Sequence, residues 1–189
     1  MPAITDSDCI AAVLSGNTQQ YALLVNRYKD LIYTLCARCL PSVELAEEAA
    51  QDSFLKAFKS LSQFNKKAKF STWLYRIAYN TCMDYLKKKA IATDQLNHKY
   101  AEEVGEEASV LHKLHDEERT EAILKAMDRL AKEDRFVLTL YYYEELSTEE
   151  LAEVLGISPN YAKQKLFRAR KQLGQIIEEH ATELINDYE

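Results

Sequence analysis

The segment that most limits what this chain can fold into is "ELSTEELAEVLGISPNYAKQKLFRARKQL", residues 145 to 173, which prescribes a helix start, a stop and a second start in quick succession. Ser147-Thr148-Glu149-Glu150 is a capping box, in which the Ser147 hydroxyl accepts from the Glu150 amide and the Glu150 carboxylate reaches back. Leu151, Ala152, Val154 and Leu155 then fall inward on a short helix. Gly156 supplies a left-handed stop, Ile157 plugs the turn, and Ser158-Pro159 form the N-cap and first residue of the next helix. Helix, short turn and helix at this spacing is a helix-turn-helix. On the second helix Ala162, Leu166, Ala169 and Leu173 make one narrow apolar stripe. Asn160, Tyr161, Gln164, Arg168 and Lys171 gather on the opposite side, with Lys163, Lys165 and Arg170 on the flanks. From Ser158 to Gly174 there are bases and no acid, although the chain as a whole carries a net charge of −6. A merely solvated face would mix signs, so this helix is expected to enter a major groove, its first residues at base edges and its later Arg and Lys at phosphates.

The rest of the chain reads as helical too. Only 4 Gly and 3 Pro occur in 189 residues, which leaves few places for tight hairpins. The expected fold class is all-α, with two small helical domains. Helical periodicity runs from about Asp8 to Ala90, breaks at Gly16-Asn17, Pro41-Ser42 and residues 65 to 69, and resumes near Arg119. No apolar run is long enough to span a membrane, and "MPAITDSDCIAAVLSG" lacks the basic start and apolar centre of a signal peptide, so the expected location is the cytoplasm without membrane insertion. Cys9, Cys36, Cys39 and Cys82 then read as reduced, buried thiols; the CxxC at 36 to 39 has no further ligands at short spacing for a zinc site.

Charge divides the chain. Residues 90 to 118 hold eight acids and two lysines, a net of −6, so the flanking parts balance each other. With three of the four histidines and no sustained apolar stripe, this stretch reads as a flexible acidic tether between residues 1–90 and 119–189.

Two further stretches carry candidate surfaces. Over Glu44 to Leu61 the helical wheel puts Ala46, Ala50, Phe54, Ala57 and Leu61 inside and Glu48, Gln51, Asp52, Leu55 and Lys59 outside. An apolar knob among acids is either an ordinary exposed leucine or a docking surface for a basic partner helix, and periodicity alone does not choose. In "FSTWLYRIAYNTCMDYLKKK", residues 70 to 89, Phe70, Trp73, Leu74, Ile77 and Thr81 share one face while Tyr75, Tyr79, Cys82 and Leu86 fall on the other. That second face is either buried between helices or a stacking platform for unpaired bases, the latter supported by "NKKAK" before it and the lysines at its end. Lys66, Lys67 and Lys69 are the expected phosphate contacts.

"GNTQQYALLVNRYKDLIYTLCARCL", "ELAEEAAQDSFLKAFKSLSQF" and the aromatic segment together resemble the first conserved domain of the bacterial sigma-70 superfamily, and residues 122 to 173 resemble its last. With only those two blocks and a short tether, the chain is similar to the extracytoplasmic-function group of alternative sigma factors. The resemblance implies a protein that binds core RNA polymerase, directs it to promoters and helps to open the minus-ten element. It implies that Glu47, Glu48, Gln51, Asp52 and Leu55 dock on the beta-prime coiled coil, which tips the open choice for that helix. It implies that the loop and helix carrying Phe64, Asn65, Lys66, Lys67, Lys69, Ser71, Arg76, Asn80 and Lys87 meet the melted minus-ten strand, where a base is flipped at a cost of a few kcal/mol. Asn160, Tyr161, Lys163, Gln164, Lys165, Arg168 and Lys171 would read the minus-thirty-five element, and the helices before them would meet the beta flap. An anti-sigma factor is the further partner implied, and no cofactor or metal is.

The sequence departs from the family pattern in two places. Tyr161-Ala162-Lys163-Gln164-Lys165 stands where many members carry Thr-Val-Lys-Ser-Arg, so the usual DNA sequence does not carry over. Leu130-Ala131 replaces a Leu-Pro step, which bears on a helix boundary. A stand-alone two-domain regulator would explain residues 147 to 174 but not the basic aromatic block. An adaptor acting only through helical contacts would explain the acidic patch but not the base-reading helix. An enzyme fits worst: the chain has no phosphate loop, metal cluster or nucleophile with an evident base, and His98, His112, His115 and His180 lie in the tether or tail.

Overall fold

The computed structural model describes residues 4–94 and 117–186, and every regular element in them is helical, as the scarcity of Gly and Pro predicts. Helix α1 (Asp6–Leu14) opens on a capping box between Thr5 and Asp8 and stops at Gly16, whose φ of 107° a side chain would rarely adopt. A short 3-10 turn leads into α2 (Tyr21–Cys39), which ends before Pro41. Ser42 caps α3 (Val43–Ser60), its hydroxyl accepting from the Leu45 amide. After a second 3-10 turn and the lysine-rich loop comes α4 (Phe70–Asp94). The remaining helices are α5 (Glu117–Asp128), α6 (Lys132–Tyr142), α7 (Thr148–Leu155) and α8 (Pro159–Asn186).

Two apolar groupings hold these helices. In the first, Ile10, Leu24, Ile32, Leu35, Leu61 and Leu74 are buried between α1 and α4. The small residues Ala46, Ala49, Ala50, Ser53 and Ala57 face inward on α3, so α2 and α4 approach its backbone closely. In the second, Phe136, Val137, Leu138, Leu140, Leu151 and Val154 come from α6 and α7, and Ala162, Leu166 and Ala169 of α8 close over them. The groupings fuse into one core where α4 meets α7 and α2 meets α6.

Some boundaries differ from the sequence reading. Helix α4 continues past its lysines to Asp94, and α8 runs through Gly174 to Asn186, because that glycine lies within a helix with open space around it and marks no stop. Helix α6 starts at Lys132 after an Ala131 N-cap that offers no side-chain acceptor, and the Arg135 guanidinium instead braces the turn by donating to the Met127 and Asp128 carbonyls. The acidic stretch between Asp94 and Glu117, with His98, His112 and His115, lies outside the described residues.

The four cysteines are buried as expected, with exposures of 0 to 1%. Cys82 Sγ lies 3.6 Å from Cys36 Sγ. Their contacts push the thiols up: Cys39 first through Cys82 and then burial, Cys82 first through Cys36. Such thiols are packing residues with little thiolate character.

Candidate docking and nucleic-acid surfaces

Three surfaces carry the candidate residues, and each owes its position to the burial of an opposite face. On α3 the alanine stripe turns Glu47, Glu48, Gln51 and Leu55 outward, and Leu55 is 55% exposed. Asp52 stands slightly apart from this set. Half-buried, it accepts a 2.9 Å hydrogen bond from the Tyr85 hydroxyl of α4, and burial together with that carboxylate pushes the Tyr85 hydroxyl up to about 12. Its charge braces α3 against α4 while the others face solvent. Phe58, 39% exposed and edge-on to Tyr21, adds apolar surface that the wheel had not singled out.

The second surface begins in the loop before α4. Phe64 does not project from it: its ring packs edge-on against Phe70 at 5.7 Å and at a tilt against Trp73 at 5.3 Å, forming a floor under the loop. Above that floor Asn65, Lys66, Lys67 and Lys69 are exposed. The Asn65 carboxamide accepts from the Lys67 amide at 3.0 Å, and Lys66 takes a left-handed φ of 58°, so the loop is a folded turn that presents its cations together. Arg76, Asn80 and Lys87 continue as an exposed row along α4, whereas Ser71 is half-buried in the first turn.

The other side of α4 resolves the choice left open by periodicity. Tyr75 is 3% exposed and its hydroxyl donates to Glu144 Oε2 at 2.9 Å, while the Tyr79 ring lies 5.2 Å from that of Phe136. Burial, then Glu144, pushes the Tyr75 hydroxyl far above its ordinary value. Both tyrosines face protein here. Sequence could not choose because their partners lie on α6 and in the loop after it, far along the chain.

The third surface is the start of α8. Ser147 and Glu150 form the predicted capping box, Gly156 has the left-handed φ of 67°, and the Ser158 hydroxyl accepts from the Tyr161 amide at the head of α8. With Ala162, Leu166 and Ala169 buried, the residues Asn160, Tyr161, Lys163, Gln164, Arg168 and Lys171 are all exposed. Lys165 is the exception and corrects the expected set. Its ammonium lies 2.9 Å from Glu133 and 3.4 Å from Asp134, with the side chain only 21% exposed. Burial penalises that charge, but the two carboxylates more than offset it and hold the ammonium above its ordinary value. This lysine ties α8 to the first turn of α6. Phe167, 67% exposed among the basic residues, was not picked out by sequence reasoning; its signal was an aromatic one position off the buried stripe. Arg170 stacks over the Tyr141 and Tyr142 rings.

No helix among the described residues is long and apolar enough to cross a membrane. The family model for Sigma-70 region 2 matches residues 24–91, and that for Sigma-70 region 4 matches residues 120–173. The chain is 34% identical over 173 residues to the ECF RNA polymerase sigma factor SigW of Bacillus subtilis, covering 87% of this chain and 92% of the relative. It is 28% identical over 178 residues to the ECF RNA polymerase sigma-E factor of Escherichia coli strain K12, covering 90% and 93%. Among solved structures it is similar to the sigma factor RpoE of Bartonella quintana, determined with the anti-sigma factor NepR, with a TM-score of 0.72, 18% identity and coverage of 85% of this chain and 98% of that one. It is also similar to CnrH in complex with the cytosolic domain of CnrY, with a TM-score of 0.62, 22% identity and coverage of 90% and 96%. Those two likenesses establish the shared fold.

Proposed function

The chain belongs to the sigma-70 family, among its extracytoplasmic-function members, and from that membership we propose how its surfaces divide the work of an alternative sigma factor. Such a protein binds core RNA polymerase and directs promoter-specific initiation. The observation that carries the division is that three exposed surfaces of different character sit on three different segments: acids around a leucine on α3, cations over an aromatic floor in the loop before α4, and a basic face on α8.

Glu47, Glu48, Gln51 and Leu55 dock on a basic coiled coil of the polymerase, Leu55 supplying the desolvated contact and the acids steering it. Lys66, Lys67 and Lys69, with Arg76, Asn80 and Lys87, hold the phosphates of the melted minus-ten strand, and a flipped base rests above the Phe64 floor. Asn160, Tyr161, Gln164, Arg168 and Lys171 enter the minus-thirty-five major groove, with Lys163 on the flank. Phe167 is suited to an apolar contact with a thymine methyl. Residues 1–90 and 119–189 act as the two promoter-binding units, and 91–118 joins them. The protein works in the cytoplasm, nucleotide addition belongs to the polymerase, and an anti-sigma factor restrains it, a reading supported by the similar RpoE, which was solved with the anti-sigma factor NepR.

The test is run-off transcription with purified core polymerase and fragmented genomic DNA, followed by sequencing of the RNA ends. New start sites sharing two upstream motifs are expected. Leu55→Arg should retain its helical circular-dichroism spectrum and lose core binding by about a hundredfold or more. Normal binding by that folded variant would remove the assigned docking face. No new start sites and no core binding by the unmodified protein would return the stand-alone regulator.

A further inference from the structure

We propose that Asp6, at the head of α1, is a positioning residue for promoter opening: through Tyr28 and Phe70 it fixes the aromatic floor on which the minus-ten loop stands. This rests on the sigma-factor reading above and adds to it a part for α1, which none of the three surfaces includes.

The link is a continuous line of contacts that starts in the first turn of α1 and ends beneath the loop. Asp6 carries two partners from α2. Its Oδ2 accepts from the Tyr28 hydroxyl at 2.6 Å, and its Oδ1 pairs with the Arg27 guanidinium, which also donates to the Ile4 carbonyl at 2.8 Å. The Tyr28 ring then lies 5.7 Å from that of Phe70, and Phe70 lies 5.7 Å from both Phe64 and Trp73. Of these four rings Tyr28 is the one that comes from outside the loop and α4. Burial first and Asp6 next hold its hydroxyl above the ordinary value, so it stays a donor. Ser7, the next residue of α1, meets the loop itself: Lys66 Nζ stands 3.5 Å from its hydroxyl.

Asp6 does little else that α1 needs. The start of α1 is already closed by the reciprocal capping box of Thr5 and Asp8, and Cys9 and Ile10, exposed by 1% or less, seat the helix on the core. The Arg27 ion pair is partly exposed, its side chains at 40% and 26%, and pairs of that kind contribute little to stability. What Asp6 does control is the tilt of the half-buried Tyr28 ring. A tethered hydroxyl fixes that ring at both ends, whereas the ring alone can pivot about its Cβ. Phe70 rests on Tyr28, and the floor rests on Phe70. A pocket for a flipped base tolerates little looseness, since its contacts must offset the unstacking. A loosened floor therefore weakens promoter opening and leaves the docking residues of α3 as they are.

The experiment compares Asp6→Ala and Tyr28→Phe with Arg27→Gln, which removes the ion pair and leaves the Tyr28 contact. Each folded variant is assayed with core polymerase on a promoter recovered by genomic run-off, once as a full duplex and once with its minus-ten region pre-opened by mismatches. Trp73, the only tryptophan in the chain, reports the floor in the free protein through quenching of its fluorescence by acrylamide. The expected result for Asp6→Ala is duplex run-off lower by about tenfold, pre-opened run-off within about twofold, unchanged core binding and a raised Trp73 quenching constant. Tyr28→Phe, which keeps the ring, should shift in the same direction by about threefold, and Arg27→Gln should match the unmodified protein in all four readouts. Unchanged duplex run-off from folded Asp6→Ala and Tyr28→Phe overturns the proposal. Equal losses on the two templates, or a loss in Arg27→Gln as large as in Asp6→Ala, overturn it as well, because Asp6 would then only fasten α1. If Asp6→Ala does not fold, Tyr28→Phe decides alone. Absence of run-off from the unmodified protein would instead strike the sigma-factor reading on which the proposal rests.

Discussion

Helices α4 and α8 are both basic and both assigned to DNA, yet they are buried in opposite ways. Helix α8 hides one narrow stripe of Ala162, Leu166 and Ala169 and exposes nearly everything else over its first turns. Helix α4 hides Phe70, Leu74, Ala78 and Thr81 on one side and Tyr75 and Cys82 on another, leaving one exposed row from Lys69 through Arg76 and Asn80 to Lys87. A helix buried on one side declares its free face in its own periodicity. A helix wedged between two units does not, because its second buried face is set by residues that periodicity cannot see.

The largest test of that difference is Phe136→Ala. Phe136 is fully buried and backs α4 through Tyr79. Truncation should cost about 3–5 kcal/mol, read as a lower denaturant midpoint, with the loss felt on the α4 side as well as within α6 and α7. A loss under about 1 kcal/mol would mean that α4 is not backed by α6 and behaves like α8.

The next effect belongs to α8. Ala162 is fully buried, so Ala162→Leu should overpack its stripe and cost about 1–3 kcal/mol. Gln164→Leu, two positions away on the exposed side, should change stability by no more than about 0.5 kcal/mol while altering minus-thirty-five preference. Equal costs at the two positions in thermal melts would erase the single-stripe description.

The same contrast explains what could be read in advance. Local rules found every signal that acts within a few residues: the Ser147 box, the Gly156 stop, the Ser158 cap, the breaks near Gly16 and Pro41, and the α8 stripe. They misplaced Lys165, because whether a flanking lysine faces solvent depends on Glu133 and Asp134 at the start of α6. They left Tyr75 and Tyr79 undecided for the same reason, and they did not reveal that Phe70 and Trp73 hold the ring of Phe64, a residue singled out only by the resemblance, inward beneath its loop. Helix α3 shows a third case: its exposed leucine was legible, but the docking role proposed for it came only from the family resemblance.

The smallest predicted effect probes the place where a local rule and a long-range contact share one group. Glu150 closes the α7 capping box through the Ser147 amide and also meets Lys69 of the opposite unit. Its carboxyl is held below the ordinary value of 4.5, first by the Ser147 amide and then by Lys69. Because the folded value is depressed, the stabilisation is fully present above about pH 4.5 and is lost as pH falls through the lowered folded value. Glu150→Gln keeps the box geometry but removes the charge, at a cost of a few tenths of a kcal/mol near neutrality. Every other carboxyl titrates in both proteins, so the stability difference between wild type and variant isolates this one. That difference should shrink towards zero in urea titrations run progressively below pH 4.5. Added salt at neutral pH should remove the part owed to Lys69, whose side chain is largely exposed, and leave the part owed to Ser147. A difference independent of pH would show that the folded state uses the shape of Glu150 and not its charge. One that vanishes entirely with salt would shift the weight from the local cap to the contact between the two units.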